Sequence, residues 1–150
     1  MDEADALYNV LKEIFLLLDG GDRRVLVGYN LTLPRFYALI HLGQRPGLSV
    51  SELSDRMFCD KSNITRLVQS MEAENLVERQ RHDTDGRILC LSLTQHGEEL
   101  RRQVLEAHRR CNERRFHLFA PPTKQEELLL SLLRLKDTLQ IDLEESVVTS

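Results

Sequence analysis

The sequence predicts a mainly α-helical fold that carries one small β-hairpin. Apolar residues recur every three or four positions along most of the chain, which is the period of an amphipathic helix. Only one stretch, within 76–93, changes to the two-residue alternation of a strand. The chain has 150 residues, a length that favours a single domain over 1–150.

The composition is that of a globular protein, with 41% hydrophobic and 29% charged residues. Apolar runs such as 14–18 are far shorter than a bilayer span, and the N-terminus is acidic, so we expect no membrane helix or signal peptide. Three widely spaced cysteines match neither a disulfide framework nor paired zinc ligands, which predicts a cytoplasmic protein without a metal or cofactor.

The charge balance sets a condition on any binding to nucleic acid. The chain has 20 Lys and Arg against 24 Asp and Glu, a formal net charge of −4. Phosphate attraction needs positive surface, so this balance argues against broad non-specific binding to nucleic acid. The same net charge is compatible with a local basic surface.

The first helix is predicted from the apolar residues between positions 7 and 18, which share one helical face. This pattern stops before Gly20 and Gly21. We therefore expect the helix to end near Asp19 and a flexible loop to follow.

Two short helices follow, each with a recognisable start. Thr32 and Pro34 open the first of them, because proline suits the first helical turn, and Gly43 ends it. Ser49 and Glu52 then form a capping box, in which each side chain satisfies the backbone N–H of the other. The second short helix should run to about residue 57.

A fourth helix should begin after Asp60, a good N-cap residue. Asn75 stands where it should end, because asparagine tolerates the left-handed conformation that closes many helices. One face must be buried, since it carries four apolar residues at helical spacing: Ile64, Leu67, Val68 and Met71.

The hairpin is predicted from two strands, 76–81 and 88–93, joined by a polar turn over 82–87. In the second strand Cys90 alternates with the leucines and shares the polar face with Ser92.

The last two helices are long. Thr94 is a plausible N-cap for the first of them, which should end before Pro121, and a second capping box, Thr123 to Glu126, should open the final helix. That helix has so wide an apolar arc that we expect burial against more than one neighbour, including a second copy of the chain. Its seven-residue rhythm comes from Leu128, Leu132, Leu135 and Leu139.

Helix, short helix, turn, helix and hairpin is the order of a winged helix-turn-helix, in which the second helix of the pair enters the DNA major groove. The outward side chains of the predicted fourth helix can all hydrogen-bond to base edges or phosphates. A solvated polar face would explain the same pattern. The candidate reading residues are Lys61, Ser62, Asn63, Thr65, Arg66 and Gln69.

The hairpin adds cationic groups that favour DNA binding. Arg79 and Arg81 lie on its first strand and Arg87 at its tip, where an arginine can enter the narrow minor groove. Asp85 is two residues away and can orient the Arg87 guanidinium. Because 49–94 has six basic against eight acidic residues, a balance of −2, the phosphate-facing surface must be a local patch.

The chain resembles the MarR (multiple antibiotic resistance regulator) family of bacterial winged-helix transcription factors. The resemblance runs over about 31–99, through LTLPRFYALIHL, LSVSELSDRM, CDKSNITRLVQSMEAENLVERQ and DGRILCLSLTQHGEEL, and its most specific element is Asp85-x-Arg87 between the two strands. Two departures are Asn75, where the family usually has glycine, and Arg35, where glutamine or glutamate is common.

The resemblance implies a homodimer built from the first and the last two helices, with Arg87 as the minor-groove residue and regulation by a small ligand or an oxidant. It divides the chain into a DNA-reading lobe over 32–94 and a helical dimerisation region over 1–31 and 95–150.

Two further sites have alternative interpretations. Tyr37 and His41, four apart on the second helix, can line a pocket for a small aromatic effector or simply belong to the core. Cys59 can be an oxidant switch at the start of the reading helix, although a small buried residue that packs the turn is the favoured interpretation. No arrangement of residues predicts catalysis.

Together these observations predict a sequence-specific transcriptional regulator, a repressor that binds double-stranded DNA at a palindromic operator as a homodimer. The alternative is a winged-helix module that binds a protein partner. Against it, the outward residues of the fourth helix lack the aromatic and leucine anchors that protein interfaces favour.

Overall fold

A computed structural model describes residues 2–81, 84 and 86–148. It confirms the predicted fold class, a mainly α-helical winged helix-turn-helix with flanking helices and one antiparallel hairpin. The elements, in chain order, are α1 Glu3–Val27, α2 Leu33–Gln44, α3 Val50–Met57, α4 Lys61–Ala73, β1 Val77–Arg81, β2 Leu89–Leu93, α5 Gln95–Phe119 and α6 Pro122–Val148.

The chain divides into two compact units, Met1–His108 and Arg109–Ser150. The first contains α1 to α4, the hairpin and the first part of α5. The second contains the remainder of α5 and α6. The division into a reading lobe over 32–94 and a dimerisation region on either side stays a prediction.

The core of the first unit lies where α2, α3, α4 and β2 meet. The apolar face of α4 is buried as its spacing predicts, since Ile64, Val68 and Met71 are almost fully inaccessible. Leu67 packs against the same cluster while partly buried. The other α2, α3 and β2 residues at the centre are Phe36, Leu39, Leu42, Leu53 and Leu91.

Local capping fixes the ends of the short helices as the sequence indicates. The Glu52 N–H donates to the Ser49 hydroxyl at 3.2 Å, and the Ser49 N–H donates to the Glu52 carboxylate at 2.8 Å. Thr32 caps α2 by accepting from the Arg35 N–H at 3.5 Å. Asp60 precedes α4 as expected, but its side chain makes no capping hydrogen bond.

Two left-handed residues bracket α4. Asn75 follows the helix with a φ of 58°, which confirms its predicted role as a terminator. Phe58, in the turn before the helix, has a φ of 52°. A side chain with a Cβ costs roughly 1–2 kcal/mol in this conformation, and glycine is the usual residue there.

The predicted end of the first helix is wrong. α1 continues through both glycines to Val27. A glycine in a helix costs only about 1 kcal/mol relative to alanine, and packing of the following turns outweighs that cost. Leu26 is fully buried, and the buried Asp22 lies 3.2 Å from the His108 imidazole of α5.

The hairpin pairs antiparallel, with Val77 opposite Leu93 and Gln80 opposite Cys90. The predicted strands were one residue too long at their starts. The prediction that Cys90 lies on a polar face is also wrong, because both Cys90 and Leu91 are buried. On the other side of β2, the Leu91 N–H donates to the Leu48 carbonyl at 2.8 Å, so β2 is bonded along both edges at this point.

The predicted capping box of the last helix is not formed. α6 begins at Pro122, so Thr123 lies inside it. The Pro121 carbonyl accepts from the backbone N–H groups of Lys124 and Gln125 at 3.0 and 3.2 Å, and the Gln125 amide donates to the Ala120 carbonyl at 2.5 Å. Proline at the first helical position removes an N–H that would have had no partner.

The leucine-rich face of α6 is exposed in the single chain, from Leu128 at 38% to Leu139 at 57%. The burial expected for this face therefore does not occur within the chain. No helix within residues 2–81 and 86–148 combines the length and apolar character that crossing a bilayer requires.

Gly97 gives a test of how α5 packs onto the hairpin. A Cβ at this buried position would lie 2.1 Å from the Leu76 carbonyl oxygen, which itself accepts from the Thr94 N–H. Gly97→Ala should lower the free energy of unfolding by about 1–3 kcal/mol, although alanine is the better helix former.

The matched control is Gly20→Ala in α1, where the new Cβ would meet no atom of the chain within 4 Å. This change should raise the free energy of unfolding by about 0.5–1 kcal/mol. Urea denaturation followed by circular dichroism measures both. A neutral or stabilising Gly97→Ala would contradict the close approach.

Candidate nucleic-acid interface

The face of α4 opposite the core is polar and open to solvent. Thr65 is half-buried, and its hydroxyl donates to the Lys61 carbonyl one turn earlier at 2.9 Å. The other candidate reading side chains are exposed: Lys61, Ser62, Asn63, Arg66 and Gln69.

Arg66 is held by a neighbour on the same helix. Its guanidinium donates to the Asn63 side-chain oxygen at 3.1 Å. This contact occupies one of the five N–H donors of the guanidinium and leaves donors for a base edge. Asn63 therefore limits the rotamers of Arg66 and reduces the entropy lost when the guanidinium binds.

Two arginines from outside α4 anchor its C-terminal end. The Arg35 guanidinium of α2 forks onto the Glu74 carboxylate at 2.6 and 2.9 Å and also donates to the Ser70 hydroxyl at 2.6 Å. The Arg79 guanidinium of β1 donates to the Glu72 carboxylate at 2.9 Å. Both contacts fix the orientation of the polar face relative to the core and the hairpin.

Arg79 therefore has a different position from the one its sequence suggests. It was predicted as a cationic group of the wing, and the structure places its guanidinium against α4. Arg81, two residues further along β1, is exposed, and Arg87 is exposed in the turn before β2. Asp85 lies outside the described residues, so its pairing with Arg87 stays a prediction.

Tyr37 and His41 are neighbours on one face of α2, where Tyr37 is exposed and His41 is half-buried. Burial raises the pKa of Tyr37, as do the charges of Asp19 and Asp22 and a hydrogen bond to the Asp19 side chain. Burial lowers the pKa of His41, and the positive charge of Arg56 lowers it further. Both effects favour the neutral form of the imidazole.

One nitrogen of His41 is left without a hydrogen bond. Its Nδ1 is buried and has no hydrogen-bond partner among the described residues. A buried polar atom without a partner carries a desolvation cost, which a ligand with a complementary donor or acceptor would relieve.

The burial predicted for Cys59 is wrong. The side chain is exposed in the turn before α4, and its thiol donates to the Met57 carbonyl at 3.2 Å. The turn closes through backbone hydrogen bonds and needs no small apolar residue inside it. Among the residues that the structure describes, no three His, Cys, Asp or Glu side chains converge as metal ligands would.

Two functional candidates are not among the residues predicted from the sequence. Arg35 stands out there only as a departure from the family, because its carboxylate partner is 39 residues away. Phe58 carries one signal, since its position between the end of one helix and the N-cap of the next is typical of a left-handed residue.

Known proteins match this chain in sequence and in fold. A model of the MarR family matches residues 29–88. The transcriptional repressor MprA of Escherichia coli is 33% identical over 119 residues, which cover 77% of this chain and 66% of MprA. For the first two curated relatives the match spans 52% and 40% of their length, so the chain corresponds to about half of those proteins.

Two solved structures cover nearly the whole chain. A MarR family protein from Bacillus stearothermophilus is 30% identical, with a TM-score of 0.74 over 93% of this chain and 96% of that one. The transcriptional repressor CouR, bound to a 23-mer DNA duplex, is 21% identical, with a TM-score of 0.79 over 89% of this chain and 94% of CouR. On this identity and coverage, the chain belongs to the MarR family of winged-helix transcription regulators.

Proposed function

We propose that the chain is a homodimeric repressor that binds an inverted-repeat operator and is released by a small aromatic ligand. The observation that carries the proposal is the exposed polar face of α4 on a helix whose opposite face is buried in the core. MprA and CouR are both transcriptional repressors, and CouR is bound to a DNA duplex, which supports the same function.

The side chains of this face supply the chemistry of base recognition. Arginine suits the O6 and N7 acceptors of guanine, and glutamine suits the N6 and N7 edge of adenine. In α4 these roles fall to Arg66 and Gln69, both exposed. Ser62, in the first turn of the helix, is placed to contact phosphate or a base edge.

Ion pairing leaves fewer free carboxylates next to α4. The charges of Glu72 and Glu74 are neutralised by Arg79 and Arg35. The exposed cations Lys61, Arg66, Arg81 and Arg87 can then form a local positive surface. Such a patch attracts phosphates although 49–94 as a whole has a balance of −2.

The proposed dimer rests on apolar surface that a single chain leaves uncovered. In α1, Leu16 and Leu17 are 65% and 76% exposed, among a run of exposed apolar residues from Leu7. In the second unit an apolar groove between α5 and α6 is lined by Phe116, Phe119 and three leucines of α6. Exposed apolar surface of this extent marks an interface, and a second copy provides a partner of matching character.

A protein partner at the reading face is the second candidate function. One observation favours it, the highly exposed aromatic ring of Phe58 beside α4. The remaining outward residues of the helix are small, polar or charged, which favours DNA.

The proposed effector site is the Tyr37 and His41 face of α2. An aromatic ring can stack on Tyr37, while the unpaired His41 Nδ1 offers a polar contact. The negative charges of Asp19 and Asp22 act on Tyr37, and the positive charge of Arg56 acts on His41. A ligand carboxylate should therefore lie toward His41, and a phenol toward Tyr37. Release from DNA requires that the ligand bind more tightly to a dimer in which the spacing of the two α4 helices does not fit DNA.

Arg66→Ala tests base reading. On the operator recovered by selection, binding should weaken by about 1–3 kcal/mol, and preference at one base pair should relax, because the guanidinium would no longer reach guanine. Arg102→Ala is the matched control, since Arg102 is an exposed arginine of α5 with a side chain 71% accessible.

Binding measured at several salt concentrations separates reading from phosphate attraction. Loss of a phosphate contact lowers the salt slope by about one unit without changing base preference. If Arg66→Ala and Arg102→Ala weaken all sequences equally, the assignment of Arg66 as a reader fails.

Benzoate and 4-hydroxybenzoate test the effector site. Either should weaken operator binding by roughly 5- to 150-fold at saturation, the usual range of allosteric coupling. Tyr37→Phe should reduce the response to 4-hydroxybenzoate and Cys59→Ser should leave it unchanged. Fluorescence anisotropy of a labelled operator measures both. Release by peroxide alone, abolished in Cys59→Ser, would replace the ligand site with a thiol sensor.

A further inference from the structure

We propose that Phe58 is a specificity-determining residue that contacts the C5-methyl group of a thymine in the operator. The inference rests on the proposed DNA-binding function and adds an apolar reader to it. Two independent features of Phe58, its exposure and its backbone conformation, support the assignment.

The ring of Phe58 is more exposed than any other large hydrophobic side chain in the described part of the chain, at 84%. The other strongly exposed apolar residues belong to α1, α5, α6 and the hairpin, where the dimer and the wing account for them. Phe58 belongs to none of these elements, since it follows α3 in the turn that leads into α4.

The backbone of Phe58 is unfavourable for a phenylalanine. Its φ of 52° is a left-handed conformation that glycine adopts without strain and a bulky residue rarely occupies. Phe58 thus gains no stability from burial of its ring and loses some through its strained backbone. Strain of this kind is found where a function requires the side chain.

Backbone hydrogen bonds fix the position of Phe58 in the turn next to α4. The Phe58 N–H donates to the Asp55 carbonyl at 3.3 Å, and the Cys59 N–H donates to the Ser54 carbonyl at 3.1 Å. α4 begins three residues later at Lys61. In helix-turn-helix proteins the N-terminal residues of the recognition helix contact base edges, so Phe58 lies at the end of α4 that approaches the groove.

Thymine is the base that an exposed phenyl ring can recognise there. Its C5-methyl is the one apolar group that the major groove displays, and phenylalanine is among the side chains that contact it. Among the candidate reading residues of α4, Thr65 carries a methyl group, but it is half-buried and offers less apolar surface than the exposed ring of Phe58. Phe58 adds an apolar contact to the polar contacts proposed for α4.

The surroundings favour DNA over a protein partner. A protein interface needs a contiguous apolar patch around its aromatic anchors. Next to Met57 and Cys59, which adjoin Phe58 in the chain, the turn and the adjoining helix ends carry four exposed charged residues, namely Asp55, Arg56, Asp60 and Lys61. A single exposed ring among charged residues can contact one thymine methyl group close to the DNA phosphates.

The test combines Phe58→Gly with replacement of single operator thymines by deoxyuridine, which removes the methyl and keeps the base pair. At one thymine per half-site, deoxyuridine should weaken binding of the original chain about three- to tenfold, the range expected for one buried methyl contact. Phe58→Gly should weaken binding similarly, and the two changes together should cost no more than either alone.

Asn75→Gly is the matched control, since Asn75 has nearly the same φ at the other end of α4. Both glycine variants should raise the melting temperature by about 2–4 °C, because both relieve a left-handed residue. Asn75→Gly should retain the affinity and the thymine preference of the original chain. A more stable Phe58→Gly that binds less tightly cannot owe its loss to unfolding.

Unchanged affinity of Phe58→Gly, or additive losses at every thymine, would overturn the inference while leaving the proposed function intact. Loss of affinity with equal effect on thymine and deoxyuridine operators would also overturn it, because the ring would then contact the backbone or a protein. If the original chain selects no operator, the proposed function itself fails, and the two failures are thereby distinguished.

Discussion

The structure depends on the burial of one face of α4. Ile64, Val68 and Met71 enter the core formed with α2, α3 and β2, and each is at most 2% accessible. At roughly 1.5–3 kcal/mol for each large apolar side chain, this burial fixes the rotation of the helix about its axis. The rotation decides which residues face outward, so the packing of the core places Asn63, Arg66 and Gln69 on the exposed face.

Two ion pairs further fix the orientation of α4 that the core establishes. Arg35 and Arg79 reach α4 from α2 and from β1, and both contact its last turn and the residue after it. The reading helix is thereby connected to the helix that carries Tyr37 and His41 and to the wing that carries Arg87. A ligand that displaces α2 can alter the reading face through the Arg35 contact, which gives the proposed release a physical route.

Features that depend on local chemistry were predictable from the sequence. The Ser49 and Glu52 capping box and the left-handed Asn75 are set by neighbouring residues, and both are present. Features decided by distant partners were not. The continuation of α1 depends on packing of Asp22 and Leu26, and the role of Arg35 depends on a carboxylate 39 residues away. The reading residues and the effector site stay predictions.

Selection of binding sites from a pool of random duplexes tests whether two copies of α4 read DNA across a two-fold axis. We expect an enriched inverted repeat whose half-site centres lie about 10–10.5 base pairs apart, or about 34–36 Å, one helical turn. Each half-site should include a guanine for Arg66. Enrichment of direct repeats, of a single half-site bound at full affinity, or of no sequence at all would contradict it.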